Sequence, residues 1–160
     1  MIFFILPDPA VTAFVDVTQG VYAHGTLLSV SFTADIENQA ASSPGNDILA
    51  TTGDNYAFDV LFADADINSN IATNTQAGSN INIVTGLTVG LLASGASLTV
   101  SGSVDLTLPT ANCNTLTFLC VRLSEGAGAS YVDIDNADSS NAICIDITSR
   151  IYCSPGNDHP

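Results

Sequence analysis

Hydrophobic and polar residues alternate with a period of two along much of this chain. Leu28, Val30, Phe32, Ala34 and Ile36 fall on one side, and Ser29, Ser31, Thr33, Asp35 and Glu37 on the other. Leu98, Val100, Val104, Leu106 and Leu108 repeat the pattern against Thr99, Ser101, Ser103, Asp105 and Thr107. Tyr56, Phe58, Val60 and Phe62 form a third such face, and Ile143, Ile145 and Ile147 a fourth. Successive side chains of a strand point to opposite faces, so each run predicts a strand with one face on a core and one in water. Helical periodicity never extends beyond about a turn.

A strand over residues 10–17 and a β-branched stretch over residues 80–92, interrupted by Gly86 and Gly90, add to this set. Turn-forming residues punctuate the runs at Thr18-Gln19-Gly20, His24-Gly25, Ser43-Pro44-Gly45-Asn46-Asp47, Gly53-Asp54, residues 64–70 and residues 126–128. The fold class expected is all-β: an immunoglobulin-like antiparallel β-sandwich of about 7–9 strands in two packed sheets. Residues 10–153 form a single sandwich domain in this reading. Residues 1–9 are an N-terminal extension or edge strand, and residues 154–160 a C-terminal tail.

Charge narrows the partners. The net charge is -14, lysine is absent, and the only cations are Arg122 and Arg150. Such a surface repels the phosphate backbone of nucleic acid and anionic lipid surfaces. The longest apolar run, Ile2, Phe3, Phe4, Ile5 and Leu6, is far too short to span a bilayer. Charged residues are only 11% of the chain and apolar strands run throughout, unlike a disordered acidic tail.

Cys113, Cys120, Cys144 and Cys153 all lie in the last third. An even number confined to one region points to disulfides and an oxidising, extracellular compartment, secreted or cell-surface. Zinc fits poorly, because no CxxC pair exists and His24 and His159 lie far from the group. If residues 116–123 and 142–151 pair as neighbouring strands with Cys120 facing Cys144, the same register brings Cys113 near Cys153. Arg122 and Asp146 share faces with Cys120 and Cys144, which puts that crosslink on the outer side. Pairing Cys113 with Cys120 and Cys144 with Cys153 stays open. No Asn-x-Ser/Thr acceptor is present, so N-glycosylation is not expected.

Several segments carry a family resemblance. Pro7-Asp8-Pro9-Ala10-Val11-Thr12, Gly20-Val21-Tyr22-Ala23-His24-Gly25 and the strand ending Ile36-Glu37-Asn38 resemble the opening of a CARDB-type, cell-adhesion-related domain. Gly95-Ala96-Ser97-Leu98-Thr99-Val100 is similar to that family's central strand entry, and Tyr131-Val132-Asp133-Ile134-Asp135-Asn136 with Ser140-Asn141 to its ending. Four cysteines, longer loops and a single Asn141 where two asparagines are usual depart from it. The resemblance implies an adhesion or surface-protein module, often in tandem, without a shared active site.

Candidate chemistry is sparse. Asp64, Asp66 and Asn68 mimic the alternating oxygen ligands opening a calcium loop, but Ser69 replaces the turn glycine and Thr75 the bidentate glutamate. Asp133, Asp135, Asn136 and Asp138 form a second acidic cluster that a cation would relieve. A solvated polar loop is the plain alternative for both, and calcium is the one cofactor suggested. His24 sits in a turn and His159 near the end, no G-x-S-x-G elbow occurs, and Asp59 and Asp105 are expected on wet strand faces. The chain is therefore expected not to be an enzyme.

The function expected is an extracellular structural or adhesive module that builds a surface fibre or filament from copies of itself. Ile2, Phe3, Phe4, Ile5 and Leu6 would supply the donor strand for assembly. The alternative is a monomeric or tandem adhesion module that binds neighbouring domains, a protein or a glycan, with calcium dependence. A calcium-dependent sugar-binding module is weaker, since without tryptophan only Tyr22, Tyr56, Tyr131 and Tyr152 could serve as platforms.

Overall fold

The computed structural model describes residues 9–39, 56–66, 80–88, 92–125 and 142–153. Nine strands lie among them: β1 (Pro9–Asp16), β2 (Tyr22–Ala23), β3 (Leu27–Asn38), β4 (Tyr56–Ala63), β5 (Asn80–Thr88), β6 (Ser97–Thr107), β7 (Phe118–Glu125), β8 (Ala142–Asp146) and β9 (Ile151–Tyr152). They form a three-stranded sheet in the order β1-β3-β6 and a four-stranded sheet in the order β5-β4-β7-β8, both antiparallel. A third sheet pairs β2 with β9 in parallel. No helix among the described residues is long and apolar enough to cross a membrane.

The two larger sheets share one core. Val30, Phe32, Ala34 and Ile36 of β3 are buried in it, as the alternation predicts, with Val11 and Phe14 of β1 beside them. Val60 and Phe62 of β4, Leu119 and Val121 of β7, and Ile147 after β8 close it from the other sheet. Phe14 and Phe32 pack with ring centroids 6.2 Å apart, and Tyr22 meets Phe62 edge-on at 5.4 Å. Burying a side chain such as Phe32 or Phe62 stabilises the fold by about 2–3 kcal/mol.

Two glycines are required by contact. Gly102 of β6 lies opposite Phe32 of β3, and a Cβ there would stand 2.6 Å from the ring. The inward row of β6 thus has a gap that the phenylalanine fills. Gly25 follows β2 with φ +82°, where side chains are strained, and a Cβ would meet Thr110 Cγ2 at 2.8 Å.

Three expectations are corrected. First, the second face of β4 is not wet from residue 59 onward: Asp59, Leu61 and Ala63, which alternate with Val60 and Phe62, are buried too. Leu61, Ala63, Cys120 and Ala142 make a second apolar cluster on the far side of that sheet. Second, Leu98 on β6 is 39% exposed, because β6 is an edge strand whose inward side chains reach only the rim of the core. Third, the pairing is not wholly antiparallel, and the last strand does not stay beside β7. Asp146 Oδ1 accepts the Thr148 N–H at 2.9 Å and its hydroxyl at 2.6 Å. This local turn ends β8, and a 3-10 turn over Thr148–Arg150 carries the chain across to β2. Those two hydrogen bonds hold the exposed Asp146 carboxyl below its usual pKa.

Gly102→Ala should lower the unfolding free energy by about 1–3 kcal/mol through overpacking against Phe32. Urea unfolding monitored by circular dichroism measures this; an unchanged midpoint would contradict the tight contact.

Candidate functional site

The densest cluster of polar groups joins the β1–β2 turn to the segment before β9. Asp16 ends β1 with a nearly buried carboxylate: Oδ1 accepts the Thr18 N–H at 2.9 Å, and Oδ2 accepts the Tyr22 hydroxyl at 2.5 Å. Arg150 Nη1 donates to the same Oδ2 at 2.5 Å. Its Nη2 donates to the carbonyls of Thr18 at 2.6 Å and Gly20 at 2.8 Å, and Nε also reaches Gly20 at 3.1 Å. The guanidinium lies 5.0 Å from the centroid of the Tyr22 ring, close enough for a cation–π contact.

Local sequence explains why the turn can be held this way. Gly20 adopts φ +79°, turning its carbonyl toward the arginine. Thr18 acts as a rung of the sheet beyond the end of β1: its hydroxyl donates to the Ser31 carbonyl at 3.2 Å and accepts the Ser31 N–H at 2.9 Å. Burial pushes the Tyr22 phenol well above its usual pKa, and the hydrogen bond to Asp16 adds to the shift. Because Tyr22 is fully buried, it is not a platform for a sugar, contrary to the expectation above.

His24 lies in the turn after β2, as the sequence suggests, and is only 1% exposed there. Its Nδ1 lies 2.8 Å from the Pro109 carbonyl and donates to it, since a carbonyl oxygen can only accept. The His24 N–H donates to the Tyr152 carbonyl at 3.0 Å, so the residue links β2 both to β9 and to the turn after β6.

The structure crosslinks Cys120 with Cys144 and Cys113 with Cys153. Cys120 and Cys144 stand directly opposite each other on β7 and β8. This crosslink lies on the side away from the main core, with Cys120 completely buried and Cys144 half-buried. Cys153 reaches Cys113 because β9 runs beside β2, not through an extension of the β7–β8 ribbon. Sequence separations of 40 and 24 residues give each crosslink, taken alone, about 3–4 kcal/mol of chain-entropy stabilisation. Arg122 faces Asp59 across β7 and β4, Nε to Oδ2 3.4 Å, so Asp59 is a buried ion-pair partner and not part of a wet face. Asp105 is exposed, as expected.

Of the calcium candidates, Asp64 and Asp66 follow β4, the first half-buried and the second exposed. Asn68, Asp133, Asp135 and Asp138 lie outside the described residues, as does the assembly segment Ile2, Phe3, Phe4, Ile5 and Leu6. Among the described residues, no three His, Cys, Asp or Glu side chains stand close enough to hold a metal ion.

The outer face of the three-stranded sheet is lined by hydroxyls. Ser103 Oγ is 2.8 Å from Ser31 Oγ and 3.1 Å from Ser29 Oγ, and the Thr99 hydroxyl donates to Asp35 at 2.6 Å. Val15 is half exposed at its β1 margin. Sequence reasoning read these residues only as the wet side of strands, and it missed the Arg150 cluster. The usable signal was arithmetic: in a chain with two cations and sixteen acids, each arginine has many carboxylates to choose from. Comparison with family models, curated protein sequences and solved structures gave no match to this chain.

Arg150→Met should destabilise the protein by about 2–4 kcal/mol, since it strands the Asp16 carboxylate and two turn carbonyls. Arg150→Lys should recover less than half of that, because an ammonium cannot reproduce the planar fork. Urea midpoints of the three proteins compare them, and full rescue by lysine would refute the fork geometry. Mild reductant should open Cys113–Cys153, whose sulfurs belong to half-buried residues, well before Cys120–Cys144. Timed alkylation and peptide mass spectrometry read the order; the reverse order would show that burial does not govern access.

Proposed function

We propose that this chain is an extracellular structural or adhesive module, the repeating subunit of a surface fibre or filament. In this reading the sandwich is immunoglobulin-like and related to CARDB-type domains. Support comes from the strand order, in which β3 and β6 pair while β4 and β5, between them in sequence, sit in the opposite sheet. That arrangement matches the Greek-key connections of such sandwiches. Two disulfides suit an oxidising compartment outside the cell.

The observation that carries the reading is where the polar chemistry goes. Both arginines, the buried Asp16 and Asp59, the Tyr22 phenol and the Nδ1 of His24 are engaged in contacts between strands or turns. Chemistry deployed between elements resists deformation, and a load-bearing or adhesive module needs that resistance. Calcium at the acidic segments would add to it from outside.

Negative-stain electron microscopy of protein from its native source, with and without chelator, tests the proposal. Regular filaments are expected, and their dissolution by chelator would assign calcium a part in assembly. Dispersed single particles would overturn the fibre reading in favour of a monomeric or tandem adhesion module.

A further inference from the structure

The four outer strands of the two large sheets are guarded unequally. β1 begins with Pro9, its register shifts between Val11 and Ala13, and it lies against β7 and β8 of the other sheet. β5 meets β4 with two register shifts. β8 has only five residues and ends in the Asp146 turn. Proline, bulges and shortness are the devices by which sandwiches keep their edges from pairing with other chains.

β6 has none of these guards. It runs for eleven residues, Ser97–Thr107, and its register with β3 is unbroken from Leu27↔Thr107 to Glu37↔Ser97. It contains no proline and no lysine, and its single charged residue is Asp105. Among the described residues β3 is its sole hydrogen-bonded neighbour, and the other row of backbone N–H and C=O groups has no strand partner among them. The inward side chains Leu98, Val100, Val104 and Leu106 are each partly exposed, whereas Val30, Phe32, Ala34 and Ile36 on β3 are sealed. One more strand beside β6 would complete both the ladder and the cover of the core.

We infer that β6 is the acceptor edge for the segment Ile2, Phe3, Phe4, Ile5 and Leu6 of a second copy of this chain. The inference rests on the fibre reading and specifies its joint. Five uncharged apolar residues suit a rim of leucine and valine, and they add no carboxylate to a molecule of net charge -14. Reach makes the exchange intermolecular. Pro9 is level with the Ser97 end of β6, since Pro9 pairs with Asn38 and Ser97 with Glu37. A strand beyond β6 would stand three strand spacings from β1, about 14 Å. Leu6 is three residues before Pro9 and extends at most about 11 Å from it. The donor segment leads directly into β1 and the acceptor is β6, the opposite edge of the same sheet, so the contact is head-to-tail and propagates instead of closing on itself.

The test uses the full chain at increasing concentration and salt, by sedimentation velocity together with hydrogen–deuterium exchange. Salt should promote assembly by screening the repulsion between acidic copies. Amides of residues 97–107 should gain protection as oligomers form. Leu98→Lys, at a position exposed enough to keep the fold, should raise the concentration needed for assembly by roughly tenfold or more. Removal of residues 2–6 should do the same, while Val15→Lys on the β1 margin should assemble like the parent chain. Oligomers without protection of residues 97–107, or undiminished assembly of Leu98→Lys, would overturn the β6 joint and leave the fibre reading standing. Assembly after removal of residues 2–6 would overturn the donor. A chain that stays monomeric throughout would overturn the joint and the fibre reading together.

Discussion

One guanidinium holds the beginning and the end of the described domain together. Arg150 bridges Asp16, the carbonyls of Thr18 and Gly20, and the face of Tyr22. Without it, a carboxylate with 5% of its side chain exposed would have to keep its charge with only the Thr18 N–H and the Tyr22 hydroxyl as donors. The turn would also lose the donor that holds its two carbonyls. The consequences spread because Tyr22 packs on Phe62 in the core and begins β2, which pairs with β9. β9 in turn delivers Cys153 to Cys113. The parallel pairing of two-residue strands could not persist on its own backbone bonds; the salt bridge below it and the disulfide beside it restrict it to one arrangement.

Much of the architecture was legible in the sequence because alternation reports burial directly. The inward residues of β3 were readable as a set, and the strand containing Cys144 was placed opposite that containing Cys120. What alternation cannot report is the environment of the other face. Asp59, Leu61 and Ala63 alternate with Val60 and Phe62 as a wet face would, yet they are covered, and Asp59 is paired with Arg122. The period of two is the same in both cases. Nor could the pattern reveal Gly102, which interrupts the inward row of β6 as if it were an error. Its meaning exists only in the register that sets it against Phe32. The redirection of the chain by Asp146 was hidden for a similar reason. An aspartate two residues before a threonine is common, and here it decides which strand β9 joins.

The charge distribution takes on a sharper meaning with the structure. Both cations lie within the fold, each neutralising an aspartate that is itself poorly exposed. The chain as a whole keeps a net charge of -14, and copies of it repel one another at long range. Such repulsion keeps a protein with exposed edges dispersed until salt or a cation screens it. The acidic surface and the hydroxyl-lined sheet thus act in the same direction, because both favour hydration over unspecific contact.

General repulsion and local edge protection are alternative solutions to the same problem. A sandwich with proline, a bulge or brevity at every edge would not need a large net charge to remain apart. This chain uses those devices on β1, β5 and β8 and leaves β6 long, regular and uncharged apart from Asp105. If the charge alone were there to prevent pairing, the guards on three edges would be redundant. If the guards were the general strategy, their absence from the longest outer strand would be a defect. The two facts are reconciled when the guards direct association rather than abolish it. In the proposed assembly, geometry closes three edges, a repulsion that salt can weaken holds back the fourth, and the half-covered leucines and valines along β6 would set the direction of growth.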